Sequence, residues 1–293
     1  MESSFSKPVL TTARSPQHIS IVVPCLNEEE SVEQFCVAIE ELQASLSDCR
    51  LDFIIVDDGS SDDSVGALKR LLQDRVCFQI IEHGENRGVA AAIQTGIEAA
   101  TTDIVCSMDF DCTYDPCQFT KLLPALTDDV DLVTGSPYHP QGRVLNVPKW
   151  RLIISKFASH TYRLAMRTRL HTYTSCFRVY RRSSVSGIKL LNPGFVGVTE
   201  MLWRLERLGG KTVEVPAVLN VRQFGQSKMR VMQVTFAHLG LLRKILVSRS
   251  SPVTTRITRP NNTESQNTTP ITERHSTVGN YSDELQVAEE SNS

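Results

Sequence analysis

Over the first 131 residues, short continuous apolar runs alternate with stretches whose apolar positions recur every three or four residues. His18 to Pro24 reads as a first strand, and Asn27-Glu28 opens an amphipathic helix that runs towards Leu46. A second strand, Phe53 to Val56, ends at Asp57. Val65 to Leu72 has a helical period, Phe78 to Glu82 is a short strand, and Gly88 to Ala100 is an alanine-rich helix. A third long strand, Ile104 to Met108, runs into Asp109-Phe110-Asp111. Strands joined through helices of this length cannot be hairpins, so the order predicts an α/β fold with a mainly parallel sheet and right-handed crossovers.

Beyond Asp131 the rhythm changes. Leu132 to Gly135 reads as another strand, and a loop with Pro and Gly follows as far as Pro148. A basic helix is expected from about Lys149 to Arg169, a strand over Phe177 to Tyr180 and a helix over Thr199 to Leu208. Lys211 to Arg222 holds an apolar stretch around Pro216. From Met229 to Val247 apolar residues recur at helical spacing, interrupted by Arg230, Gln233, His238, Arg243 and Lys244. That pattern suits an amphipathic helix, either at a lipid interface or docked on its own domain, and not a membrane span. The domain plan is therefore a loose lead-in (1–17), one catalytic-size domain (18–228, with halves 18–131 and 132–228), an amphipathic helix (229–247) and a disordered tail (248–293).

The net charge of −2 hides a strong asymmetry. Residues 1–131 carry 8 Lys and Arg against 24 Asp and Glu, whereas residues 132–199 carry 11 bases and no acid. An acidic half suits a divalent cation, and an acid-free basic stretch suits phosphate groups or an anionic membrane surface. No zinc-finger, RRM or KH signature is present, so nucleic acid is not an expected partner. The eight cysteines form no C-x-x-C pair and no secretory signal begins the chain, so reduced thiols in the cytoplasm are expected. Cys112, Cys117 and Cys176 are read as small buried hydrophobes.

The informative chemistry lies at two strand ends, Asp57-Asp58-Gly59-Ser60 and Asp109-Phe110-Asp111. In an open α/β sheet, ligands bind beyond the carboxyl ends of the strands, so both clusters are expected on one side. Carboxylates gathered there repel one another unless a cation or hydrogen-bond donors compensate. Hard oxygen ligands spaced i, i+2 suit Mg²⁺ or Mn²⁺, which take one or two carboxylates plus the oxygens of a diphosphate. A dinucleotide oxidoreductase is disfavoured, because no G-x-G-x-x-G follows the first strand.

Six segments in order carry a family resemblance over roughly residues 18–247. They are Val22-Val23-Pro24-Cys25-Leu26-Asn27-Glu28, Ile55 to Asp62, Asn86-Arg87-Gly88, Met108 to Asp111, Thr174 to Tyr180 and Arg222 to Met229. Together they resemble a family 2 glycosyltransferase of GT-A fold, most like the dolichyl/polyprenyl-phosphate mannosyltransferases. The resemblance implies that Pro24, Leu26, Glu28, Val56 and Asp58 surround the base and ribose of a nucleotide-sugar such as GDP-mannose or a UDP-sugar. Asp109, Phe110 and Asp111 would flank the diphosphate, with Asp111 the main ligand of Mg²⁺ or Mn²⁺, Asp109 beside it, and Thr113 standing where the family often has Gln. Arg222 and Lys228 would hold donor phosphates. Arg151, Ser155 and Ser227 would hold the acceptor phosphate, and Arg178 would grip phosphate oxygens as a catalytic cation.

One departure stands out: many relatives carry Asp at the position of Thr172, which leaves Glu200 as the candidate base or orienting group. The activity implied is inverting, metal-dependent transfer of a hexose, mannose or glucose, to a polyprenyl or dolichyl phosphate. The enzyme would sit peripherally on the cytosolic membrane face, with room for a membrane-anchoring partner protein. Two other readings remain open at this stage. One keeps the donor site but uses a saccharide or other hydroxyl acceptor, for which Glu200 would be needed as base. The other is a nucleotide-sugar-binding scaffold without chemistry.

Overall fold

The computed structural model describes residues 17–73, 75–220 and 231–248. Nine strands and eight α-helices are found among them: β1 Gln17–Cys25, α1 Val32–Ser45, β2 Cys49–Asp57, α2 Ser64–Leu72, β3 Phe78–Glu82, α3 Val89–Ala99, β4 Ile104–Ser107, α4 Phe119–Leu122, β5 Leu132–Ser136, β6 Arg143–Leu145, α5 Lys149–Ala165, β7 Arg178–Arg181, α6 Arg182–Val185, α7 Phe195–Arg207, β8 Thr212–Pro216, β9 Val218–Asn220 and α8 Val231–Ser248. The first seven follow the expected order, with α1 starting at Val32 rather than Asn27 and β2 at Cys49 rather than Phe53.

A seven-stranded sheet runs β3-β2-β1-β4-β7-β5-β8, with β7 alone antiparallel to its neighbours. It is thus a mixed, mainly parallel α/β sheet. The chain leaves β1 towards β2 and β3 on one side, then returns to place β4 on the other side of β1. This reversal is where a ligand crevice opens in such sheets, beyond the carboxyl ends of β1 and β4. The register sets Val22 beside Ser107, so Pro24 and Asp109 leave the sheet as neighbours.

Both faces are covered, which explains the continuous apolar runs of the central strands. Ile19, Ile21, Val23, Phe53 and Ile55 pack with Phe35, Ile39 and Leu42 of α1, Leu68 of α2 and Phe119 of α4. The alternate residues Val22, Ile54 and Val56 face Ala92, Ile93 and Ile97 of α3 and, beyond, Met201 and Leu205 of α7. Burying a side chain of this size contributes about 1.5–3 kcal/mol.

The second half departs from expectation at β6 and at the start of α7, while α8 takes the docked alternative. β6 lies inside the expected loop and pairs in parallel with β9 as a separate ribbon. α7 begins at Phe195, four residues before the expected start, so Glu200 sits in its second turn. α8 docks on the domain through Leu241 and Ile245 and lies against α5 and α7. No helix among the described residues is long and apolar enough to cross a membrane.

Candidate active site

Three loops meet at the carboxyl edge of β1, β2 and β4. Pro24 near the end of β1, and Leu26 and Glu28 beyond it, are half-buried. Asn27 adopts φ 54, a conformation that Asn tolerates better than most residues, and its amide oxygen accepts the Ser61 N–H at 2.6 Å. The Asn27 N–H donates to Ser60 Oγ at 2.8 Å, so the first loop is tied to the second.

Asp57 and Asp58 divide the work of the second loop. Asp58 accepts the N–H groups of Arg87 at 2.9 Å and Gly88 at 2.7 Å, and His83 Nδ1 lies 2.8 Å from its Oδ1. The other ring nitrogen of His83, Nε2, lies 2.9 Å from Thr95 Oγ1, so the ring bridges Asp58 and α3. Asp58 is therefore occupied in fixing the 83–88 loop. Gly59, at φ +82, lets this loop pass: a Cβ there would stand 2.6 Å from the Glu85 carbonyl carbon. Asp57 accepts from Gly59 and Ser60 N–H through Oδ2, at 3.2 Å each, while its buried Oδ1 has no hydrogen-bond partner. Such an oxygen is costly to leave unpaired and marks a donor-seeking position in the crevice. The field here is negative: burial, with Asp57 and Glu28 nearby, pushes the Cys25 thiol to about 12.

The third loop carries Asp109, half-buried, and Asp111, exposed. Cys112 closes the turn at φ 51, strained for a non-glycine residue, and so turns Asp111 outward. The Thr113 N–H donates to Asp111 Oδ1 at 3.0 Å, which orients that carboxylate. Burial, then repulsion from Asp111 and Glu28, raises the Asp109 carboxyl to about 7, although a hydrogen bond with Cys176 works against this. Among the described residues no Lys or Arg forms an ion pair with either aspartate. Nor do the described residues contain a cluster of three or more His, Cys, Asp or Glu able to hold a metal alone. Two hard carboxylates that repel each other in a crevice fit a Mg²⁺ or Mn²⁺ ion that takes its other oxygens from a diphosphate and water.

Four residues expected at the site do other work. Val56 is fully buried in the core beneath α3, and the Phe110 ring stacks on Phe35 at 4.3 Å, so neither side chain lines the crevice. Arg178 is fully buried on β7, its Nη1 donating to the Val198 carbonyl at 2.7 Å and its Nη2 to the Tyr173 carbonyl at 2.8 Å. A guanidinium spent on two carbonyls cannot also grip a phosphate with that fork. Glu200 is equally buried: it accepts from Leu191 N–H, Asn192 N–H at 2.9 Å, Asn192 Nδ2 at 2.6 Å and Arg204 Nε at 2.7 Å. Burial would raise its pKa, but the bonds from Asn192, Leu191 and Arg204 outweigh it and hold the pKa below the usual value. It is a clamp on the 191–192 loop and a poor base. Thr172 is buried against Ser136 Oγ at 2.9 Å.

Of the residues expected to hold an acceptor phosphate, Ser155 is half-buried on α5 and hydrogen-bonds with Tyr138. Arg151 lies on the same helix. Arg222, Ser227 and Lys228, like the expected lead-in and tail, lie outside the described residues. The sequence reading missed Asp57, whose neighbour looked equivalent to it, and two tyrosines. Tyr114 is buried close to Asp109 and Tyr138, with a hydrogen bond to Ser175, and burial raises its pKa. Asp109, Tyr114, Tyr138 and Ser155 are therefore neighbours in succession, with the Tyr114 ring stacked on Phe177 in the core. Only the Asp-Asp doublet could have signalled this, since the tyrosines sit in no motif.

A mainly parallel sheet with a reversal crevice, two neighbouring carboxylates beyond one strand and an unpartnered carboxylate oxygen at the end of another make a candidate site for a cation and a ligand that donates hydrogen bonds. The glycosyl transferase family 2 profile matches residues 20–188, more than half the chain, and the chain belongs to that family of enzymes. It is 29% identical over 226 residues to a polyprenol monophosphomannose synthase from Mycolicibacterium smegmatis, covering 74% of this chain and 83% of that protein. It is 30% identical to an undecaprenyl-phosphate mannosyltransferase from Micrococcus luteus, covering 71% and 86%. The GT-A fold is shared with glucosyl-3-phosphoglycerate synthase from Mycobacterium tuberculosis, solved with Mn²⁺, UDP-glucose and phosphoglyceric acid, at TM-score 0.58 and 19% identity over 84% of this chain and 86% of that one. A mannosyltransferase from Pyrobaculum calidifontis, solved with GDP-mannose and Mn²⁺, superposes at TM-score 0.56 with 18% identity, covering 79% and 65%.

Proposed function

We propose that the chain transfers a hexose, mannose first among candidates, from a nucleotide-sugar to a polyprenyl phosphate with inversion, at the cytosolic membrane face. The observation that carries this reading is the Asp109–Asp111 pair, with Asp109 raised and neither residue in an ion pair with Lys or Arg among the described residues, in a chain whose stretch from 132 to 199 has no acid. The names of the relatives point to the same lipid acceptor.

Asp57 Oδ1 takes an N–H of the nucleobase, while Pro24, Leu26 and Glu28 form the wall beside it. Asp58 contributes at one remove by holding the 83–88 loop. Asp109 and Asp111 are the residues that would hold a Mg²⁺ or Mn²⁺, which when bound supplies Lewis-acid neutralisation of the leaving nucleoside diphosphate. Thr113 contributes its N–H, keeping Asp111 turned towards that position. By the family resemblance Arg151, Ser155 and Ser227 would bind the acceptor phosphate, and Arg222 and Lys228 the donor phosphates. A phosphate acceptor is already ionised at neutral pH and needs no base. Glu200, with its oxygens filled and its pKa low, agrees with that and speaks against a hydroxyl acceptor.

The test is incubation of purified protein with a panel of nucleotide-sugars, Mn²⁺ and a short polyprenyl phosphate, read by mass spectrometry of the lipid. A glycosylated lipid phosphate that disappears with EDTA is expected. Nucleotide release that occurs only with a saccharide acceptor overturns the reading.

A further inference from the structure

His83 is the residue after β3, at the edge of the sheet where β1, β2 and β4 also end, since these four strands run parallel. Its side chain is 3% exposed and that of Asp58, beside it, 4%. Every polar group of this histidine is engaged. The N–H donates to the Asp57 carbonyl at 2.9 Å, and the carbonyl accepts from Arg87 Nη2 at 3.4 Å. Nδ1 lies 2.8 Å from Asp58 Oδ1, and Nε2 lies 2.9 Å from Thr95 Oγ1 on α3. Burying an imidazole costs free energy that an apolar side chain of the same size would not, and these bonds offset it. One residue thus joins the turn after β2, the 83–88 loop and α3.

We propose that His83 is a positioning residue for the nucleotide: its ring holds Asp58 and the 83–88 loop where they keep Asp57 Oδ1 turned towards the base. This role rests on the nucleotide-sugar reading and adds a residue to it. Asp58, braced by the ring, accepts from the Arg87 and Gly88 N–H groups and so closes the 83–88 loop. That loop passes over the turn after β2, where a Cβ on Gly59 would stand 2.6 Å from the Glu85 carbonyl carbon. The same turn supplies the Gly59 and Ser60 N–H groups that occupy Asp57 Oδ2, which leaves Oδ1 as the buried oxygen without a partner. On its other side the loop is closed in at Gly88, where a Cβ would meet the Pro193 carbonyl oxygen at 2.7 Å. Without the ring, Asp58 loses its brace against α3, the loop lifts from Gly59, and the two N–H groups that aim the Asp57 carboxylate move with it. A binding group is only as well aimed as the shell that supports it.

The experiment is isothermal titration of the full chain with GDP and with UDP in the presence of Mn²⁺, and separately with Mn²⁺ and pyrophosphate, which has no base. His83→Asn sets an amide at the place of Nδ1 and keeps a partner for Asp58, whereas His83→Gln sets it at the place of Nε2 and keeps only Thr95. His83→Gln should weaken the better-bound nucleotide by about tenfold and leave pyrophosphate within about twofold of wild type. His83→Asn should hold both ligands within about threefold. In an Asp57→Asn background, His83→Gln should add less than about twofold, because the oxygen it positions is gone. Thr95→Val, which frees the far side of the ring and leaves Asp58 untouched, should cost about threefold for the nucleotide and nothing for pyrophosphate. If His83→Gln does not fold, Thr95→Val takes its place, and an unchanged nucleotide affinity then overturns the proposal. Nucleotide binding by folded His83→Gln equal to wild type overturns it, as do equal losses for nucleotide and pyrophosphate, a loss with His83→Asn as large as with His83→Gln, or full additivity with Asp57→Asn. Wild-type protein that binds pyrophosphate but neither nucleotide overturns the nucleotide reading and this role with it, whereas the other outcomes leave that reading standing.

Discussion

The two halves of the domain treat their charged residues in opposite ways. Between Gln17 and Asp131, carboxylates reach the crevice and keep unmet demand: Asp57 Oδ1 has no partner, and Asp109 is pushed to about 7 beside Asp111. Beyond Asp131, the two charges that looked most chemical, Arg178 and Glu200, are fully buried and bonded to backbone. Glu200, with its oxygens occupied, holds a fold together, and Arg178 leaves only its buried Nε without a partner, whereas the spare oxygen of Asp57 lies at the strand end beside the crevice, prepared for a ligand. In the second half the exposed chemistry is apolar and basic, on α5.

The contrast breaks hardest at Asp111. Asp111→Ala should lower glycosyl transfer by about a thousandfold with an unchanged melting temperature, because an exposed side chain outside the core is removed. A loss below about tenfold would erase the distinction between the halves. Glu200→Ala is the opposite case. Removing a buried partner of Arg204 and of two backbone N–H groups should cost about 3–5 kcal/mol, read by urea denaturation. The protein that remains folded should turn over within a few-fold of wild type, and a selective loss of kcat at full stability would return Glu200 to catalysis.

The pH dependence sharpens the comparison within the first half. Asp109 is raised above its unfolded value near 3.8, so the folded state holds a proton that the unfolded state releases. Without a divalent cation, that group's contribution to stability is therefore complete below about pH 4 and is lost as pH climbs through about 7. A bound cation must displace the same proton, so Mn²⁺ affinity should fall by up to about tenfold per pH unit below 7, roughly a hundredfold at pH 5. Isothermal titration at several pH values checks this, and a flat profile between 5 and 7 would contradict it. The smallest expected effect is at Asp57. Asp57→Asn keeps one oxygen for the Gly59 and Ser60 N–H groups but turns the spare position into a donor, and should weaken nucleotide binding by about tenfold in the same titration. Asp58→Asn should instead loosen the 83–88 loop and appear first as lost stability.

The first half was legible because its cues are local. Short apolar runs such as Ile21 to Val23 and Phe53 to Val56, bounded by turn residues, read as strands buried on two faces, and acidic pairs mark the ends of β2 and β4. The second half was less so. β6 and β9 are three residues each and too short for a period, and α7 starts at Phe195 because Glu200 reaches back to clamp Leu191 and Asn192, a bond across the loop that no pattern announces.

By itself the sequence determined the family, the order of β1 to β4 with their helices, and the placing of Asp57, Asp58, Asp109 and Asp111 on one edge of a sheet. These follow from side-chain period and from residues adjacent in the chain. Only the tertiary structure decided which carboxylate of the first doublet keeps a spare oxygen, that Arg178 and Glu200 point inward, and that Ile153 and Phe157 of α5 point out. Those outcomes depend on hydrogen-bond donors and acceptors brought together from distant segments, and a single chain position carries no record of the partner it will meet.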